Sequence, residues 1–99
     1  MYGLIGKMRS APGKREELLQ ILFEVTGQLP GCLSYIVARD PADTTAIWIT
    51  EVWKDAVSHK ASLALPEIQA AIIKAKPFLA GFEFQIETEP AGGFGLPKS

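Results

Sequence analysis

Residues 47–55, Ile-Trp-Ile-Thr-Glu-Val-Trp-Lys-Asp, alternate in a way that leaves neither side of a strand wet. Ile47, Ile49, Glu51 and Trp53 fall on one face, and Trp48, Thr50 and Val52 on the other. A strand that is apolar on both faces has to be covered on both, which constrains the chain to a layered fold around a sheet. Glu51 shares a face with Trp53 in the least watery part of the sequence. An ionised carboxylate buried without partners is expensive, so Glu51 needs a partner, a proton or a path to solvent. His59, the single histidine, follows a few residues later. This stretch is therefore the first place to look for a site.

The flanking sequence supplies the covering layers. Residues 2–9 predict a strand, closed by Lys7 and Arg9, and Pro12-Gly13 breaks the chain after it. Across 14–29, Leu18, Leu22, Val25 and Leu29 recur at helical spacing, joined by Leu19, Ile21 and Phe23. Lys14, Arg15, Glu17, Gln20, Glu24 and Gln28 make the wet side. Leu29-Pro30-Gly31 ends that helix, residues 33–39 predict a second strand, and Asp40-Pro41-Ala42-Asp43 a turn. Asp55 caps a helical region reaching about Leu65, and Pro66 suits the first turn of another, where its missing N–H costs nothing. That helix has Ile68, Ala71, Ile72, Ala75 and Phe78 as its inner stripe and ends near Lys76, before Pro77. Residues 82–89 predict a half-exposed strand alternating without a slip, Phe82, Phe84, Ile86 and Thr88 against Glu83, Gln85, Glu87 and Glu89. Residues 90–99, rich in Gly and Pro, predict a loose tail or an arm ordered by a partner, outside a domain of residues 1–89.

The order β-α-β-β-α-β implies an α+β, ferredoxin-like fold: a four-stranded antiparallel sheet with helices on one face and strands one and three central. The second face, carrying Trp48 and Val52, would be bare in a monomer, so a two-fold homodimer packed sheet to sheet is expected. Composition excludes several classes. With 99 residues and net charge −1 there is one domain and no basic surface for nucleic acid. No apolar run is long enough for a membrane span, and the strand-like start at Tyr2 does not read as a signal peptide, so a cytoplasmic location is expected. One cysteine, Cys32, and one histidine make neither a disulfide framework nor a metal-ligand set.

Pro30-Gly31-Cys32-Leu33-Ser34-Tyr35, Arg39-Asp40, Glu51-Val52-Trp53-Lys54-Asp55 and the segment from His59 through Pro66-Glu67-Ile68 resemble the antibiotic biosynthesis monooxygenase family of dimeric α+β barrels. Its most specific element here is the Glu-x-Trp pair with a proline thirteen residues after the tryptophan. The resemblance implies oxygenation of a quinol, anthrone or polyphenol by dioxygen, with no metal or flavin cofactor. It also implies roles: Trp53 as substrate wall and orienting donor, His59 as proton acceptor, and Tyr35 or Arg39 binding a substrate oxygen. Relatives carry histidines where this chain has Ser62 and Glu67, and His59 falls one turn earlier, three residues from Ser62 and able to share its helix face. Haem-degrading relatives use an asparagine and a histidine where this chain has Gly6 or Lys7, and Leu63; none of these replaces an axial ligand.

Other readings of the same residues stay open. Trp53 can be a core aromatic rather than a pocket wall, and His59 a helix residue rather than a base. Glu51 can be catalytic, or can accept structural bonds from Arg9, Arg39 or Lys7. Cys32 reads as a small apolar filler. The alternatives to an oxygenase are an isomerase of a small carbonyl compound, with Lys7, Lys60 and His59 holding an anion, and a non-catalytic dimer that binds a hydrophobic ligand as a stress-response protein.

Overall fold

The computed structural model describes residues 1–27 and 29–97; Gln28 of the expected wet helix face and the last two residues of the expected tail lie outside them. Its elements are β1 (Tyr2–Ser10), α1 (Arg15–Val25), β2 (Cys32–Arg39), β3 (Ala46–Trp53), α2 (Ala56–Ser62), α3 (Pro66–Ala75), a 3-10 turn (Lys76–Phe78) and β4 (Leu79–Thr88). The strands form one antiparallel sheet in the order β2-β3-β1-β4, the ferredoxin-like arrangement. β1 and β3 are central, as their two-sided apolar patterns require.

Local signals account for most boundaries. The Asp55 carboxylate accepts the Ser58 N–H at 2.8 Å and starts α2, and Pro66 opens α3. Between α1 and β2 the chain turns at Gly31, whose φ of 81° lies in the left-handed region. A Cβ there would stand 2.6 Å from the Ser58 side chain, so this glycine lets the turn touch α2. α1 stops at Val25, short of the expected Leu29, because the Thr26 hydroxyl bonds back to the Phe23 carbonyl and Gly27 is a poor helix former.

One expectation is corrected in β4. Its register against β1 shifts between Lys7 and Met8, so the strand does slip. Phe82 pairs with Met8 and Gln85 with Gly6, which puts both on the helix side, whereas Phe84 and Ile86 pair with Lys7 and Ile5 on the open side.

Met8, Leu18, Leu19, Ile47 and Ile49 form the buried core beneath α1, with Val37, Phe78 and Leu79 against it. Each large aliphatic buried there contributes about 1.5–3 kcal/mol. The other side of the sheet carries Ile5, Ile36, Trp48, Val52, Phe84 and Ile86, and no helix or strand of the described residues covers it; Ile36 is 56% exposed and Ile86 52%. Trp48 stacks edge-on with Phe84 at 5.5 Å, lies under the Lys7 ammonium and donates its indole N–H to Asp40 at 2.9 Å.

Candidate active site

Towards the Trp53 end of the sheet, the helices do not close down on the strands. A cavity of about 400 Å3 remains between Gly6, Ile49 and Phe82 of the sheet and Leu22, Ile68 and Ile72 of the helices. Its wall is largely apolar; Tyr35, Glu51, His59 and Ser62 enter it together at one end, and Gln85 and Lys76 also line it.

Glu51 is the centre of that end. Trp53, 1% exposed, donates its indole N–H to Glu51 Oε1 at 2.9 Å. His59 Nε2 stands 3.9 Å from the same oxygen, leaving Oε2 without a protein partner among the described residues. Burial pushes the Glu51 carboxyl above the usual carboxylate range, opposed by the indole hydrogen bond and the nearby imidazole. Tyr35, directly across from Glu51 on β2, is driven further from its ordinary value. Burial raises its phenol first, and the Glu51 charge adds to the effect. Its hydroxyl is thus a neutral donor that has no partner among the described residues.

His59 is held in place by three contacts. Its ring meets Trp53 edge-on at 5.4 Å and lies against Tyr2 at 5.6 Å with a 32° tilt. The Ser62 hydroxyl donates to the His59 carbonyl at 2.6 Å, which ties down that turn of α2. Tyr2 was not among the residues the sequence singled out. Its register opposite Trp53 puts it there, and its hydroxyl donates to Glu87 on β4 at 3.1 Å.

Five of the six residues singled out from sequence therefore gather at one end of the cavity: Tyr35, Glu51, Trp53, His59 and Ser62. Arg39 does not reach it. Its guanidinium grips Glu16 of α1 through two hydrogen bonds, at 2.9 and 2.6 Å, on the exposed rim. The expected basic partners of Glu51 are likewise elsewhere: Lys7 pairs with Glu83, and Arg9 with Asp43 and Glu83. Lys7 sits on the open face of the sheet, opposite His59, so the two cannot share an anion. Cys32 contacts the Ser34 carbonyl at 3.4 Å, and burial pushes its thiol up, away from nucleophilic character.

The family's sequence profile, antibiotic biosynthesis monooxygenase, matches residues 1–74. The chain belongs to that family. Solved relatives agree with the assignment. A candidate antibiotic biosynthesis monooxygenase from Chloroflexus aurantiacus is 55% identical, with 97% of this chain and 98% of that one covered at a TM-score of 0.92. Another from Deinococcus radiodurans is 26% identical, covering 95% and 96% of the two chains at 0.79. SnoaB, a cofactor-independent oxygenase from Streptomyces nogalater solved as a point mutant, shares the fold at 11% identity, covering 94% and 95% at 0.77. A search of curated proteins finds no match. Among the described residues, no group of three His, Cys, Asp or Glu could hold a metal ion, and no helix is long and apolar enough to cross a membrane.

Proposed function

We propose that this protein is a cytoplasmic, cofactor-independent monooxygenase that oxidises an anthrone, quinol or related polyphenol with dioxygen. The observation that carries the proposal is the 3.9 Å gap between His59 Nε2 and Glu51 Oε1 at the polar end of a largely apolar cavity. The gap is too long for a direct hydrogen bond, yet a hydroxyl set between the two atoms is within reach of either and can donate its one proton to His59 Nε2.

A phenolic substrate enters with its rings among the aliphatic side chains and against Trp53, and its hydroxyl in that gap. His59 takes the phenolic proton, the Glu51 carboxylate across the gap stabilises the imidazolium, and the Tyr35 phenol donates to a second substrate oxygen and orients the ring. The electron-rich anion then passes an electron to dioxygen, and the resulting pair joins at a ring carbon. For an anthrone, one oxygen atom becomes the new carbonyl and the other leaves as water, so no outside reductant is needed. The apolar wall keeps water from the reacting carbon.

The uncovered sheet face supports a second part of the proposal: the working unit is a homodimer, with two sheets packed through Trp48, Phe84 and their neighbours. The deciding experiment is oxygen uptake by chelator-treated protein with anthrone and hydroquinones, corrected for autoxidation. Saturable uptake is expected, falling at least tenfold in His59→Ala. No uptake above autoxidation would overturn the oxygenase. Turnover of a carbonyl compound without oxygen would put an isomerase in its place.

A further inference from the structure

Gly6 sits in the middle of the central strand β1 and faces the cavity between the buried Leu4 and Met8. Glycine inside a strand weakens it, and usually marks a bend or a close approach. The β4 slip opposite Lys7 and Met8 lies one residue away, but Gly6 itself has neither a left-handed backbone nor a close neighbour. Its φ is not positive, unlike that of Gly81 in β4. A Cβ at Gly3 would stand 2.1 Å from Thr88 Oγ1, but one at Gly6 would meet only the Phe84 carbonyl oxygen at 3.7 Å, an ordinary contact. The backbone therefore tolerates a side chain at Gly6, and that side chain would project into the cavity.

We propose that Gly6 is a specificity-determining residue: its missing side chain makes room for the second or third ring of a fused polycyclic aromatic ligand, lying flat on the sheet between Ile49 and Gln85. The inference rests on the proposed use of the cavity for aromatic rings. Leu4 pairs with Glu51 and Gly6 with Ile49, two residues further along the strand. At about 3.4 Å per residue, Gly6 lies about 7 Å along β1 from the Glu51 end. A single ring held by its hydroxyl at Glu51 and His59 reaches Gly6 with no more than its far edge, whereas the second and third rings of a linear fused system lie over it.

The test is binding of 1,8-dihydroxyanthraquinone and of 1,4-hydroquinone to wild type, Gly6→Ala and Gly6→Val, by calorimetric titration, together with thermal melting. Gly6→Val is expected to weaken the anthraquinone at least tenfold and to leave hydroquinone within twofold. Gly6→Ala falls between, and both variants melt no lower than wild type. Equal effects on the two ligands, unchanged anthraquinone binding, no binding to wild type, or a lowered melting temperature in Gly6→Ala would each overturn the proposal. Binding is read without turnover, so the two readings fail separately. Wild type that binds the anthraquinone but consumes no oxygen overturns the oxygenase alone, and anthrone oxidation indifferent to Gly6→Val overturns the role of Gly6 alone.

Discussion

Glu51 is held through one oxygen by an indole N–H, in a site where burial favours its protonated form. That has a consequence for stability. A carboxyl raised in the folded state keeps its proton there after the unfolded chain has lost it, so its contribution is largest at low pH and is lost as pH rises through the folded value. Asp43 behaves oppositely. Its bonds to Arg9 and to the Thr45 N–H lower it to about 2, so its contribution is present above the ordinary carboxylate range and lost as pH falls towards that value. Glu51→Gln keeps a carbonyl oxygen for the indole and removes the charge. Its melting temperature should gain on that of wild type as pH rises from the ordinary carboxylate range towards neutrality; melting curves that stay parallel from pH 4 to 8 would show that Glu51 carries no such burden. The sequence marked Glu51 for the right physical reason, a carboxylate on a strand with no wet face, but named the wrong partners. Lys7 and Arg9 alternate onto the open face of β1 while Glu51 pairs with Leu4 on the other, and that parity is decided by register rather than by spacing within one strand.

At the level of elements, the site depends on how α2 is docked, because it carries both His59 and Ser62. Two contacts hold its start: the Asp55 cap, and the Gly31 turn, whose carbonyl accepts the Lys54 N–H at 2.8 Å and whose missing Cβ leaves space for Ser58. Gly31→Ala combines a left-handed backbone penalty of about 1–2 kcal/mol with a side chain driven into α2. The expected result is a loss of at least that size in denaturant unfolding, with a rise in KM from the displaced His59. An unchanged unfolding midpoint would mean that turn and helix are not coupled. The helices, their caps and the strand order were legible because proline, aspartate and apolar spacing act locally. The slip in β4 was not. Alternation within residues 82–89 looks the same with or without an extra residue opposite β1, and only pairing reveals that Phe82 and Gln85 turn towards the cavity while Phe84 and Ile86 turn away.

For the whole molecule, the question is what covers the second face of the sheet. Ile5, Ile36 and Ile86 flank Thr50 there, with Trp48 and Phe84 one row to one side and Val52 one row to the other, an apolar face of the kind that marks an association surface. Around them Lys7, Arg9, Asp43 and Glu83 pair among themselves, which leaves a neutral, ordered rim rather than a charged surface that would repel a second copy. A self-complementary patch of this kind suits an isologous two-fold contact, to which Trp48 would bring its largest side chain. Trp48→Asp places a charge in that contact and abolishes the indole bond to Asp40. It should raise the dimer dissociation constant at least a hundredfold in sedimentation equilibrium, because an unpaired buried charge costs several kcal/mol. Trp48→Phe keeps the ring and separates association from folding: it should remain dimeric while the Asp variant dissociates. If the Asp variant still sediments as a dimer, the subunits meet elsewhere, and this face is covered by something other than its own copy.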